Sequence, residues 1–273
     1  MALPGGLTGW DLVALLVIFV AAWAVGVPRL RAARFRARRR ALLEGLEREQ
    51  GAMVLTLVHG KAPLSLLGWP LYSMIDMDDA EALLRGLRRA GDRPVDIILH
   101  TPGGQYHASL QVARALRRHK ARTRVLVPHV AMSGGTLIAL GADEIVMDPD
   151  AVMGAVDPQV GDLVRGWHSA ASWVKVAREK GKEADDTTLA LGDVSGKLLE
   201  GTRHAVRELV EGKVKDPEPL LQRLVDGGLA HAYPLSPQEL QALGLPVRTD
   251  LPPKVHDLMA MYRGPRRDSV EGP

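Results

Sequence analysis

Apolar and polar positions along this chain repeat with two different periods, and the order in which those periods follow one another predicts an α/β protein. Residues 53–58 form a short apolar run suited to a strand. Residues 77–89 then carry Ala80, Leu83, Leu84 and Leu87 at helical spacing behind Asp78 and Asp79, and residues 95–99 are a strand rich in β-branched side chains. A second unit repeats this order: a helix over 109–119 with Leu110, Val112, Ala113 and Leu116 apolar, a strand over 124–130, and a helix opening near Ser133. Strands alternating with helices imply a mainly parallel sheet, whose ligand sites lie at the carboxyl ends of its strands.

Beyond a short apolar segment at 144–147 and a loop over 148–161, helical patterning resumes at 170–180 and 187–212. Ser236-Pro237-Gln238-Glu239 reads as a capping box with proline in the first helical position, and Gly244 as the stop. From Leu251 the chain is rich in proline and charge, which predicts a tail with its last ten or so residues disordered.

The N-terminal pattern has no polar face. Residues 12–27 are an uncharged run of 16, with Trp10 before it and Trp23 within it. Such a run predicts one transmembrane helix, slightly short of the roughly 17 to 25 residues usual for a span. A buried core helix and an interfacial helix fit less well, the second because the run has no distinct polar side. A cleaved signal peptide is suggested by Ala22-Trp23-Ala24, but no basic residue precedes the run.

Seven arginines crowd into residues 29–40 with no acidic residue among them, inside a stretch, 31–50, of helix-forming composition. The positive-inside rule then places the remainder of the chain in the cytoplasm. Without those seven, basic residues fall from 35 to 28 against 32 acidic ones, so the basic character is local. That fits anionic headgroups better than nucleic acid, and no nucleic-acid partner is expected. The absence of cysteine excludes disulfides, thiol catalysis and thiolate metal sites.

The chemistry sits at two strand ends. Thr101-Pro102-Gly103-Gly104 closes one predicted strand, and 29 residues after Gly104 comes Ser133, in Ala131-Met132-Ser133-Gly134-Gly135. Either motif alone is most simply a turn or a helix cap. Together, at the ends of consecutive strands, they supply what acyl transfer needs: backbone donors for an oxyanion and an exposed hydroxyl. No metal-ligand spacing and no P-loop occurs, Gly-Gly-Gln-Tyr lacks the third glycine of a dinucleotide fingerprint, and no cofactor is expected.

Residues 100–161 resemble the Clp-protease/crotonase superfamily, whose fold is a repeated ββα spiral. The Ser-Gly-Gly form is similar to signal peptide peptidase A, and the chain resembles the serine dehydrogenase proteinase family, membrane-associated relatives in archaea and bacteria. The resemblance implies an anchor over 1–27, an arginine-rich juxtamembrane helix over 28–50, a serine peptidase domain over 51–250 and a tail over 251–273. It implies Ser133 as nucleophile, with the N–H groups of Gly103 or Gly104 and of Gly134 as oxyanion hole. It also implies homo-oligomeric assembly at the cell membrane and a peptide or membrane-protein substrate.

Clp proteases carry a histidine about 25 residues beyond the serine, and residues 153–159 contain none. Signal peptide peptidases use a lysine instead, which here leaves Lys182 first, Lys175 second, then Lys180 and Lys197. A serine, histidine and aspartate arrangement stays open, with His168 or His204 beside Asp157, Asp162 or Asp193, and with His100 and His129 near the motifs. Two other functions share the fold: a catalytically silent oligomeric scaffold at the membrane, and acyl-CoA chemistry of the crotonase type.

Overall fold

The computed structural model describes residues 9–59, 61–66, 69–162 and 166–262. It divides into two units, Met1–Gly45 and Leu46–Pro273, and the boundary falls inside the first helix, α1 (Gly9–Gln50). The described part of the first unit is helix throughout, with Trp10, Leu16, Phe19 and Trp23 among its exposed apolar side chains. Among the described residues no helix is long and apolar enough to cross a membrane, so the expected span over residues 12–27 is not supported. Sixteen helical residues rise only about 24 Å, against about 30 Å of hydrocarbon. The same helix meets its first arginine at Arg29.

The second unit takes in the last turn of α1, where Leu46 is buried and the Glu47 carboxylate accepts from the Val54 N–H at 3.0 Å. It continues through β1 (Met53–Val58), a hairpin of β2 (Lys61–Leu66) and β3 (Trp69–Tyr72), and α2 (Met77–Ala90). Next come β4 (Val95–His100), α3 (Tyr106–Arg117), β5 (Thr123–Val127), β6 (Val130–Ala131), α4 (Gly134–Gly141), β7 (Glu144–Met147) and β8 (Val152–Met153). A second hairpin, β9 (Gln159–Asp162) and β10 (Gly166–Ser169), leads into α5 (Ala170–Lys180), a 3-10 turn at Gly181–Glu183 and the long α6 (Asp186–Val210). Then follow α7 (Glu218–Leu224), α8 (Pro237–Ala242), β11 (Val247–Arg248) and α9 (Lys254–Ala260).

Five strands, in the order β1-β4-β5-β7-β11, make one wholly parallel sheet. Val95, Ile97, Ile98 and Leu99 of β4 and Val125, Leu126 and Val127 of β5 are all buried, as strands covered on both faces must be. The single strand expected over 124–130 is instead two. Pro128 has no N–H to give a ladder, so β5 ends at Val127 and the chain re-forms as β6, which leaves the sheet and pairs with β8. Short pairings of this kind make a second row across the strand ends: Ile75 with Gly104, Thr101 with Ala131, Ala131 with Met153, and Met153 with Leu235. Large-sheet strand, short second-row segment and helix therefore recur, as in β5, β6 and α4.

All eight residues of α4 are buried, including Leu137, Ile138 and Leu140, so this helix lies inside the domain. Its far end is held by Lys213, whose Nζ donates to the carbonyls of Leu140 at 2.5 Å and Ala142 at 2.7 Å. Burial, with repulsion from Arg117, lowers that ammonium from 10.5 to about 8. On the sheet, Arg124 lies over Asp96, donating from Nε to Oδ1 at 2.8 Å; the carboxylate is 1% exposed. Gln50 accepts from the same guanidinium at 2.9 Å.

Two boundaries differ from expectation. The cap of α2 is Asp76, which exchanges hydrogen bonds with Asp79 in a capping box. The tail expected from Leu251 contains α9, whose Val255, Leu258 and Met259 are buried at helical spacing, and Tyr262 OH lies 2.9 Å from Thr56 Oγ1. Residues 263–273 lie outside the described chain.

Asp96→Ala would leave the Arg124 guanidinium buried without its anion, and urea titration is expected to show a loss of about 3–5 kcal/mol. For Lys213 the folded pKa, about 8, lies below the unfolded value, so between pH 8 and about 10.5 the unfolded chain binds more protons. Stability conferred at this position therefore rises with pH across that window, by at most about 3 kcal/mol. Urea midpoints measured over the window are expected to climb more in the wild type than in Lys213→Met.

Candidate active site

The two glycine motifs meet where β4 and β6 end. Ser133 is the residue before α4, at φ 50° and ψ −114°, and is the one non-glycine residue with positive φ among those described. A side chain held in that region costs of order 1–3 kcal/mol, and such strain is typical of a sharp strand-to-helix turn that exposes a nucleophile. The hydroxyl does not cap the helix and makes no hydrogen bond among the described residues. It is therefore unengaged, in a half-buried position.

Glycine is called for around it by close approach, to main chain at Gly104 and to side chains at Gly103 and Gly134. A Cβ on Gly103, itself at φ 115°, would stand 2.8 Å from Ser133 Cβ, and one on Gly104 would stand 2.3 Å from both the N and O of Ile75. A Cβ on Gly134 would lie 2.3 Å from Ser109 Oγ and 3.4 Å from Gly104 N. Gly103, Gly104, Ser133 and Gly134 are thus brought to one place.

The hydrogen bonds distinguish the two glycines of the first motif. Gly103 N–H donates to Thr101 Oγ1 at 3.1 Å, while Ile75 is bridged through the Gly103 carbonyl and the Gln105 N–H. That leaves the N–H of Gly104 turned away from Ile75. Neither it nor the Gly134 N–H has an acceptor among the described residues. Two such donors, beside a hydroxyl at the positive end of a buried helix, can stabilise an oxyanion.

Behind the loop from Thr101 to Gly104 is a polar relay that the sequence motifs do not reveal. Thr101 Oγ1 lies 2.9 Å from His59 Nδ1, and His59 Nε2 lies 3.1 Å from Asp79 Oδ2, the carboxylate that closes the capping box of α2. His59 follows β1 and Thr101 follows β4, so adjacent strand ends juxtapose them. The relay fixes the loop that presents Gly104.

The candidate lysines lie apart from this cluster in their contacts. Lys175 on α5 is paired with Glu179, and Lys197 on α6 with Asp193 at 2.6 Å; both are about three-quarters exposed. Lys180 ends α5 and Lys182 occupies the 3-10 turn, and both are exposed. Among the described residues no hydrogen bond or ion pair joins any of the four to Ser133. The most buried lysine with a lowered pKa is Lys213, but it holds the opposite end of α4.

Of the histidines, His168 is exposed on β10 with its ring against the edge of Trp173, and His204 lies on α6. His100, His129 and His256 pack in a row, with His256 Nε2 3.0 Å from Asp148. Asp157 has neither His168 nor His204 as its partner. It is 1% exposed and lies 2.6 Å from Nδ1 of His231, a residue in the segment between α7 and α8, and its other oxygen accepts from Gln159 at 2.9 Å. The Asp162 side chain lies outside the described residues. One sequence signal pointed at this pair: Asp157 stands 24 residues beyond Ser133, where Clp proteases carry their histidine.

Residues 7–271 match the family model described as ClpP-like SDH-type serine proteinase. Two uncharacterised proteins of Methanocaldococcus jannaschii are similar: one is 43% identical over 223 residues, covering 81% of this chain and 75% of its own. The other is 40% identical over 255 residues, covering 91% of this chain and 87% of its own. Among solved structures, a mutant of the 1510-N membrane-bound stomatin-specific protease superposes with a TM-score of 0.50 at 17% identity, over 76% of this chain and 82% of that one. At that identity the likeness is one of fold. The match over nearly the whole length, on a parallel sheet with a serine at a strained helix entrance, makes this chain a member of the ClpP-like, SDH-type serine proteinase family.

Proposed function

We propose that the protein is a serine peptidase that cleaves peptide bonds through an acyl-enzyme on Ser133. The observation that carries this reading is the Ser133 elbow: a hydroxyl without a hydrogen bond at the entrance of α4, beside the unengaged N–H groups of Gly104 and Gly134. Attack by Oγ on the scissile carbonyl places the oxyanion near these donors, and removing one such donor typically costs about 2.7–4 kcal/mol of transition-state stabilisation. A lysine base is the mechanism favoured by the Ser-Gly-Gly motif. Lys182, in a turn that begins at Gly181 with φ 52°, and Lys175 are its candidates.

The substrate class is a peptide or a membrane-protein segment, and the site of action is the cytoplasmic face of the cell membrane. Support for the second point is the exposed apolar surface of α1 from Trp10 to Trp23, followed by the arginine run, a combination suited to an acyl boundary with anionic headgroups. Self-association is supported by exposed apolar side chains on β10, α5 and α6, among them Trp167, Val176, Leu189 and Val194.

A fluorophosphonate probe is expected to label the wild-type protein covalently and to leave Ser133→Ala unlabelled; equal labelling of the two would remove Ser133 from the reaction. In cell fractionation at low salt the full chain is expected to sediment with the membranes and to be released by carbonate, and recovery in the soluble fraction before that wash would overturn the membrane assignment.

A further inference from the structure

We infer that His59, oriented by Asp79, is a positioning residue of the Ser133 reaction: acting through the Thr101 hydroxyl, it holds the Gly103–Gly104 peptide so that the Gly104 N–H faces the oxyanion. The inference rests on the serine-peptidase reading above, and it follows from the direction in which the hydrogen bonds behind this loop must run.

The donor at issue belongs to a peptide unit whose other end is already held. A trans peptide points its C=O and its N–H in opposite directions. The Gly103 carbonyl accepts from the Ile75 N–H at 2.9 Å, so the Gly104 N–H of the same unit is aimed away from Ile75. Gly134 approaches the same nitrogen: a Cβ there would stand 3.4 Å from Gly104 N. One contact to the carbonyl does not fix the unit, because it hinges on Gly103, at φ 115° and with no side chain to limit rotation. The second restraint acts on the preceding unit, where the Gly103 N–H donates to Thr101 Oγ1 at 3.1 Å.

Thr101 is itself held firmly enough to serve as an anchor. Its N–H donates to the Val130 carbonyl at 3.0 Å and its carbonyl accepts from the Met132 N–H at 3.1 Å, which bridges it to Ala131, two residues before Ser133. Its methyl group packs where a Cβ on Gly135 would come within 2.5 Å. The residue is wholly buried, so what remains free to turn is the hydroxyl hydrogen. A hydroxyl has one proton and two lone pairs, and here two acceptors compete for the proton: the Gly103 carbonyl at 3.3 Å and His59 Nδ1 at 2.9 Å.

His59 decides the competition. Its Nε2 stands 3.1 Å from Asp79 Oδ2, and a carboxylate oxygen can only accept, so the ring proton sits on Nε2 and Nδ1 of the neutral ring is an acceptor. The Thr101 proton then goes to Nδ1 over the shorter distance, and a lone pair of Oγ1 is left for the Gly103 N–H. Donors run one way along this chain, from Gly103 to Thr101, from Thr101 to His59 and from His59 to Asp79, and each bond strengthens the next. The chain ends on a fixed group, since Asp79 Oδ2 also accepts from the Asp76 N–H at 3.2 Å in the capping box of α2. His59 is buried and its own N–H donates to the His100 carbonyl at 2.7 Å, which extends the β1–β4 pairing by one residue and brings the ring beside Thr101. At His59 the chain leaves for the β2–β3 hairpin, and just before Ile75 it has returned, so both restraints on the loop come from the hairpin's two feet.

Inactivation by a fluorophosphonate, in which Oγ bonds to phosphorus and fluoride leaves, puts the phosphoryl oxygen where the oxyanion would be. The chemical step (kinact) therefore reads the donor, while KI reads probe binding. His59→Gln can still donate to Asp79 but has no acceptor at the Nδ1 position, and its kinact is expected to fall about 10-fold to 100-fold with KI unchanged. His59→Asn brings an amide oxygen near the Nδ1 position and is expected to lose less. Thr101→Val, of the same shape without the hydroxyl, is expected to match His59→Gln, and Thr101→Ser to recover most of the rate. When His59→Gln and Thr101→Val are combined the two losses are expected not to add, because each breaks the same chain. All rates are taken well below the lowest melting temperature of the set, so that only folded protein is compared. Additive losses in the double variant, wild-type kinact in both single variants, a loss carried by KI, or equal losses in Thr101→Ser and Thr101→Val overturn the assignment while leaving Ser133 in place. Labelling of Ser133→Ala at the wild-type rate overturns the peptidase reading itself, and so the two failures are told apart.

Discussion

The site depends on how closely the chain is packed at the ends of β4 and β6. A Cβ added at Gly103, Gly104, Gly134 or Gly135 would come within 2.3 to 2.8 Å of a neighbour, a main-chain atom at Gly104 and a side-chain atom at the other three. Core packing tolerates much repacking, but backbone cannot retreat without breaking the pairings it makes. At Gly104 the obstacle is the N and O of Ile75. The strand end that carries the unengaged N–H of Gly104 and the bridge that holds it are therefore one piece of structure.

Around that constraint the domain divides its polar groups. The interior helix α4 carries no charge, and its two ends are served differently: Gly134 and Ser133 stay open at one, while Lys213 closes the other. A buried ammonium against two carbonyls complements the negative end of the helix dipole. Other buried ionisable groups among the described residues are paired: Asp96 with Arg124, Asp157 with His231 and His59 with Asp79. Buried charge without a partner would cost several kcal/mol, so each pair also limits which rearrangements of its strands are possible.

What the sequence disclosed follows from what is local. The strands of the large sheet other than β11, together with α2, α3, α5, α6 and α8, are read from periodicity and capping residues, and the glycine and serine motifs mark the strand ends. The split of β5 from β6 was hidden because a single apolar run spans Pro128, and the row of short bridges was hidden because one- and two-residue pairings carry no periodicity. The same holds for the site. Gly104 and Ser133 lie in motifs, but His59 and Thr101 meet only through strand adjacency, and Asp157 and His231 are 74 residues apart in sequence. The tail was misjudged for another reason: proline and charge around α9 masked a three-residue apolar stripe.

The bridge between Met153 and Leu235 has a consequence for synthesis of the chain. The two glycine motifs and Ser133 are complete once residue 135 has left the ribosome, whereas Leu235, which closes the bridge and brings His231 opposite Asp157, emerges about a hundred residues later. At roughly 5–20 residues per second that interval lasts several seconds or more. During it Asp157 lacks its imidazole partner. The bridge, and with it the pairing of His231 with Asp157, therefore closes only after four of the five strands of the large sheet have been made.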